Sequence, residues 1–336
     1  IALWIAGVLA LYMAWAIGAN DVANAMGTSV GSGALTVWGA ILVAAIFEFA
    51  GAFFAGGHVT DTVRKGMLDI SLIGRDQLIY GMLGSLAAAG TLLVGATRFG
   101  LPVSTTHSIV GAIVGFGVVS IGPEVVNWGK IGQIVLSWLT SPLLAGVIAF
   151  GIFQFTRAKV LDTKDPVAQI RKLGPVFFFL VFFIIGLVTL FKGLKPLKLD
   201  LNLTQALIGS TLLGFIGSAL GIFFIRRVQL GQEDPKDRFS RVEKIFVVLQ
   251  ILTACAIAFA HGSNDVANAI GPLAAVSGAI SGAELGGKAS VSPWMLAIGG
   301  IGIIFGLATW GYRVMETVGK RITELTPSRG FAAQLA

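Results

Sequence analysis

The stretch Gly18-Ala19-Asn20-Asp21-Val22-Ala23-Asn24-Ala25-Met26-Gly27 occurs twice in this chain. It returns as Gly262-Ser263-Asn264-Asp265-Val266-Ala267-Asn268-Ala269-Ile270-Gly271, with eight of ten positions identical. Shared hydrophobicity would not reproduce two asparagines and an aspartate in register, so the chain contains a duplication. A weaker echo supports it: Gly51 to Lys65 aligns with Gly306 to Lys320, sharing glycines and an acid-Thr-Val core. The repeat unit is therefore large.

Around the two copies the chain is overwhelmingly apolar. Of its 336 residues, 55% are hydrophobic and 12% charged, about half the ~25% charge of a soluble domain, and the mean hydropathy is +0.85. Such a chain cannot cover a water-facing surface, and it holds too much apolar sequence for a peripheral or single-anchor protein. At about 20 apolar residues per crossing there is room for about ten spans. The 45 glycines lie within apolar stretches, where small residues let helix backbones approach closely. The net charge of +7 is spread over the connections between apolar runs, which fits topology rather than a nucleic-acid stripe. Cys255 is the lone cysteine, so neither a disulfide framework nor a thiolate cluster is expected. No basic segment precedes the first apolar run in this sequence, so no cleavable signal is visible in it.

Apolar runs fall at 1–17, 35–55, 78–97, 101–120, 129–152, 173–191, 203–225, 244–260 and 290–312, with another beginning near Gly330. The stretches 153–172 (Arg157, Lys159, Lys164, Arg171, Lys172) and 226–243 (Arg226, Arg227, Lys236, Arg238, Arg241) are the most basic connections, so both are assigned to the cytoplasm. The segment 192–202, with Lys192, Lys195 and Lys198, then falls outside, as does the N-terminus. Seven runs separate the two copies, an odd number, so the copies are expected to cross in opposite directions. If 78–97 and 101–120 turn back as a hairpin, parity is unchanged. The expected fold is an all-α polytopic membrane protein with two inverted-topology repeats, broken helices and re-entrant hairpins, a layout that forms a site midway across the bilayer. Residues 1–152 form the first repeat, 153–243 connecting helices with a basic loop, and 244–336 the second repeat. Tyr80 to Ser120 has no counterpart after Gly330, so the natural chain is expected to continue past Ala336 by a further hairpin.

Ionisable and amide side chains within membrane segments are costly unless they face a partner or a water-filled cavity. Asn20, Asp21 and Asn24, with Asn264, Asp265 and Asn268, are therefore the leading candidates for a binding site. The i, i+4 spacing places the two asparagines of each copy on one face. Gly18, Gly27, Gly262, Gly271 and Pro272 are expected to break the helices and free backbone groups to line a cavity. Interhelical hydrogen bonding is the plainer account of such amides, but it gives less reason to keep a carboxylate in both copies. Pro102-Val103-Ser104-Thr105-Thr106-His107-Ser108 forms a turn whose hydroxyls and amides suit an anion at a helix N-terminus, or serve simply as an N-cap. Glu48 lies in an apolar run and is read as protonated, paired or a cation ligand; its counterpart in the repeat is not acidic. His261 stands where the first copy has Ile17, and a hydrogen bond to backbone is expected ahead of a proton-coupling role. His107 either donates to the anion or satisfies its own turn. Asp61, Arg64 and Lys65 read as a solvated interfacial cluster, and His58 has no evident partner. No His-Glu-x-x-His, Gly-x-Ser-x-Gly or P-loop pattern occurs, which argues against an enzyme.

These residues resemble the inorganic phosphate transporters of the PiT type. The signature Gly-Ala-Asn-Asp-Val-Ala-Asn-Ala stands at 18–25 and nearly unchanged at 262–269. The resemblance extends over the whole chain, including the Pro-Val-Ser-Thr-Thr-His turn at 102–107, the Glu48 segment and the basic loop. It implies symport of phosphate with Na⁺, or in other members with H⁺, sometimes carrying a metal–phosphate species. It also implies a homodimer in a bacterial plasma or inner membrane, without a cofactor, and a second Ser-Thr-Thr turn that this sequence lacks. On this basis phosphate is expected at Asn20, Asn24, Ser104, Thr105, Thr106, Asn264 and Asn268. Na⁺ is expected at Asp21, Asn24, Asp265 and Asn268, with Glu48, His261 and His107 in coupling or gating. The expected function is Na⁺-driven phosphate import; the alternative is proton-coupled import of phosphate or metal–phosphate. A channel or a phosphate-sensing receptor is the rival of another class.

Overall fold

The computed structural model describes residues 1–57, 66–190, 201–227, 235–282, 291–321 and 324–336, with backbone alone for 235–240, 320 and 321. His58, Asp61, Arg64, Lys65, Lys192, Lys195 and Lys198, and the side chains of Lys236 and Arg238, lie outside the described residues. The described residues are helical almost throughout: α1 (Ala2–Gly31), α2 (Val37–Ala55), α3 (Arg75–Arg98), α4 (Thr105–Ser120), α5 (Trp128–Thr156), α6 (Pro166–Val188), α7 (Leu203–Arg227), α8 (Pro235–Ile280), α9 (Pro293–Gly306), α10 (Tyr312–Glu316) and α11 (Pro327–Leu335). Wider π turns at Leu307–Gly311 and Thr317–Arg321 flank α10. Among the described residues, eight helical stretches are long and apolar enough to cross a bilayer, and α4 is a shorter apolar helix. The protein is a multi-pass membrane protein. The most apolar stretch of Trp128–Leu161 has no residue buried within the chain.

The expected helix breaks are absent. The helix α1 runs through Gly18 and the whole first motif, and α8 runs through Gly262, Gly271 and Pro272 to Ile280. Asn, Asp and Gly depress local hydropathy, so the apolar runs at 1–17 and 244–260 ended short of helices that continue well beyond them. The motif glycines act in packing instead. A Cβ on Gly18 would overlap the carbonyl of Ile303, and one on Gly262 would overlap the carbonyl of Glu48. Equally, a Cβ on Gly306 would overlap the Trp15 carbonyl, and one on Gly51 the Phe259 carbonyl. Under the alignment of the two copies, residues 15, 18, 48 and 51 correspond to 259, 262, 303 and 306. Each motif helix thus packs its glycine against the other copy's second helix, at equivalent positions.

The chain divides into two compact units, each assembled from separated parts of the sequence. The first comprises Ile1–Gly27, Ile41–Leu139 and Ala258–Val318 and holds both motifs and the 102–108 turn. Its core includes Met13, Ile17, Leu86, Leu93, Ile109, Ile270 and Ile303.

The second comprises Thr28–Ala40, Thr140–Ile257 and Gly319–Ala336. There α6 sets Phe178, Phe179 and Phe182 into the sites left by Gly221, Gly214 and Gly217 of α7, so glycine and phenylalanine richness serve one contact. Phe177, Phe246 and Phe331 form a cluster with centroid separations of 5.7–5.8 Å. Around it runs a polar network that the sequence did not disclose. Gln334 donates to Thr28 and Ser29 (2.8 and 3.0 Å) and accepts from Thr253 (2.7 Å), while Ser32 donates to Gln250 (2.7 Å). Buried Glu243 accepts from the Ser328 amide (2.8 Å) and hydroxyl (2.7 Å) at the start of α11, where a carboxylate meets the positive end of the helix dipole. Glu243→Ala is expected to lower stability by about 2 kcal/mol, because it strands a buried donor, and Glu243→Gln by roughly half as much. Equal thermal denaturation midpoints for both variants and the wild type would refute this.

Candidate functional site

The site is built from α1, α2, α4 and α8 within the first unit. In both copies the second asparagine turns its amide back onto the aspartate three residues earlier: Asn24 donates to Asp21 Oδ1 at 3.3 Å, and Asn268 to Asp265 Oδ1 at 3.4 Å. The copies differ in exposure. Asn20, Asp21 and Asn268 are buried, whereas Asn24 and Asn264 are exposed and Asp265 is partly so.

The 102–108 turn lies against both copies. Ser104 is the N-cap of α4, its hydroxyl accepting from the His107 amide at 3.2 Å. Buried Thr105 donates to Asp21 Oδ2 at 2.6 Å. Asn268 donates to the hydroxyls of Thr105 and Thr106, both at 3.2 Å. One threonine hydroxyl thus links the carboxylate of the first copy to the amide of the second. Asn20 holds the chain just before the turn, donating to Leu101 O at 3.0 Å and accepting from Val103 N at 3.0 Å. It also donates to the Thr97 hydroxyl at 2.9 Å, a residue to which no sequence pattern pointed. His107 is not brought to this cluster. It is exposed, and its ring packs on Trp138 with centroids 3.7 Å apart.

Charge gathers where the copies meet. One ligating atom each from Asp21, Asp265 and His261 lie within 4.8 Å of one another. His261 stands between two acids, with Nε2 at 2.8 Å from Asp265 Oδ2 and Nδ1 at 3.1 Å from fully buried Glu48 Oε1. Both approaches to the ring are short, so the imidazole is held between the two acids. The expected hydrogen bond from His261 to backbone is thus replaced by side-chain carboxylates, and of the three readings of Glu48 the structure shows pairing. Two carboxylates this close in a medium of low dielectric repel strongly. A hard cation among carboxylate and hydroxyl oxygens relieves that repulsion, and the adjoining hydroxyl turn at the start of α4 suits an oxyanion.

Known proteins are similar to this chain across nearly its whole length. A protein of Haemophilus influenzae, named provisionally as a phosphate permease, is 48% identical over 336 residues, covering 99% of this chain and 80% of its own. A Pyrococcus abyssi protein named in the same way is 48% identical over 325 residues, covering 96% and 78%. Among solved structures, one described as the sodium-dependent phosphate transporter superposes with a TM-score of 0.89 at 41% identity, covering 99% of this chain and 82% of that one. The profile of the phosphate transporter family matches residues 17–336. With both motifs, the hydroxyl turn and the helical frame included in that match, the chain belongs to the phosphate transporter family.

Proposed function

We propose that this chain imports inorganic phosphate by symport with Na⁺, acting as a carrier and not as an enzyme. The observation that carries the reading is the convergence of both motif copies on Thr105, through Asp21 and Asn268. Phosphate is held by the Ser104, Thr105 and Thr106 donors with the neighbouring amides Asn24, Asn264 and Asn268. Na⁺ is held at Asp21 and Asp265, with Asn24 and Asn268 completing the oxygen set. The sodium dependence in the name of the structural relative supports the choice of ion.

Coupling follows from desolvation. Phosphate alone would bring unpaired negative charge beside two carboxylates, and Na⁺ alone would leave its own hydration incompletely replaced. Together they enter as a nearly compensated load. Neither motif contains Lys or Arg, so the compensating cation comes from the medium. The two copies act as an inverted pair that rocks about the midplane, a relation supported by their exchange of equivalent glycine contacts. The bacterial relative supports a plasma-membrane location, and the homodimer implied by the family remains part of this reading.

Reconstitution into proteoliposomes tests it. An inward Na⁺ gradient is expected to drive concentrative uptake of labelled phosphate, with none when K⁺ replaces Na⁺. The second reading, proton coupling, draws on the Glu48–His261–Asp265 contacts. It is supported instead if a pH gradient alone drives accumulation without Na⁺. Equilibration without accumulation under every gradient would indicate a channel and overturn both.

A further inference from the structure

In this structure every hydrogen-bonding group of the Asn20 amide faces the protein itself. An amide has two N–H donors, and Asn20 uses both, on Thr97 Oγ1 at 2.9 Å and Leu101 O at 3.0 Å. Its oxygen accepts from Val103 N at 3.0 Å. Leu101 and Val103 flank Pro102, which has no N–H to offer, so Asn20 takes up the carbonyl before the proline and the amide after it. Thr97, fully buried near the end of α3, donates to Leu93 O at 2.8 Å. That bond fixes its hydroxyl so that a lone pair meets the Asn20 amide. The next residue of α1, Asp21, accepts from Thr105. Two adjacent side chains of α1 therefore hold both ends of the connection from α3 to α4.

We propose that Thr97 and Asn20 form a latch that fixes the N-terminus of α4, and that Thr97 is a positioning residue for phosphate recognition, acting through Asn20 without touching the anion. The inference rests on phosphate binding at the 104–106 turn, as proposed above. It moves Asn20 from ligand to positioning residue. It also adds to the site a threonine that stands in the sequence as an unremarked polar residue at the end of an apolar run.

The test is labelled-phosphate uptake into proteoliposomes by wild type, Thr97→Val, Thr97→Ser, Asn20→Ala and the Asn20→Ala/Thr97→Val double variant. Thr97→Val is expected to raise the phosphate KM about tenfold, the size of one buried hydrogen bond lost with its partner left unsatisfied. Its Na⁺ half-activation and kcat should stay within about twofold of wild type, and Thr97→Ser should restore the KM. A shared latch also requires the double variant to be no worse than Asn20→Ala alone. Wild-type KM in Thr97→Val, equal losses in phosphate and Na⁺ affinity, or additive effects in the double variant would overturn the proposal. Should Thr97→Val fail to fold, Thr97→Cys, which keeps the size and weakens the hydrogen bond, is expected to raise KM about threefold; a wild-type KM there would overturn it equally. Absence of uptake by wild type under every gradient would instead remove the reading on which the latch rests.

Discussion

Asp21→Asn is expected to keep its fold and weaken Na⁺ half-activation of phosphate uptake by about 10- to 100-fold, and Asp265→Asn is expected to do the same. Asparagine matches aspartate in shape, and its carbonyl can still accept the Thr105 hydroxyl that Asp21 Oδ2 accepts at 2.6 Å. What disappears is one negative charge beside the proposed cation. At 4 Å, and at an effective dielectric constant of 20, a unit-charge pair is worth about 4 kcal/mol. Relief of the repulsion between the two carboxylates, which one ligating oxygen of each brings within 4.8 Å, offsets part of that loss. The balance leaves the stated range and a charge-specific signature: Na⁺ dependence changes first and phosphate KM follows only through coupling. Uptake measured against Na⁺ at fixed phosphate, then against phosphate at fixed Na⁺, separates the two. Unchanged Na⁺ activation in both variants would remove the carboxylates from the cation site.

The duplicated Asn-Asp motif pointed to the polar cluster that the fold brings together, because its cost is written in the residue types. An aspartate between asparagines inside apolar sequence demands a partner, and a second copy names where to look. The hydroxyl turn was equally legible, since Ser104, Thr105 and Thr106 run together two residues after Pro102. Helix continuity was not, because the residues that make the site polar also lower the hydropathy by which spans are read. Glycine was read as a place to break, whereas at Gly18 and Gly262 it permits contact with a neighbouring backbone, a property of tertiary approach that local sequence does not encode. The partners of His261 were hidden for a similar reason: Glu48 is 213 positions away, and only the packing of α2 against α8 brings it to 3.1 Å. Thr97 and Gln334 show the limit most clearly. A single hydroxyl or amide in an apolar helix is usually satisfied within its own helix or by a neighbour, so nothing in its surroundings distinguishes the few that tie distant parts of the chain together.

Gly18→Ala and Gly262→Ala are expected to destabilise the protein and sharply reduce uptake, whereas Gly7→Ala is expected to be neutral or slightly stabilising. All three replace glycine with alanine inside a long helix, where alanine is intrinsically favoured by up to about 1 kcal/mol. A Cβ at Gly7 meets nothing within 4 Å, so that position shows the helical preference alone. At Gly18 and Gly262 the added carbon would overlap backbone carbonyls, of Ile303 and Glu48. A carbonyl held in a helix cannot rotate aside as a side chain can, so the helices themselves must separate. Overpacking of this kind costs about 1–3 kcal/mol even where neighbours can adjust. Here the displaced helices also carry the site: α8 brings Asp265 and Asn268, and α2 brings Glu48 to His261. Gly262→Ala is therefore expected to have the larger effect on transport, because its clash falls on Glu48 itself, while Gly18→Ala presses on Ile303, which bears no polar group of the site. Thermal denaturation and uptake measured side by side on the three variants decide the matter. If Gly262→Ala matched Gly7→Ala in both measurements, the close approach of the motif helices would be refuted.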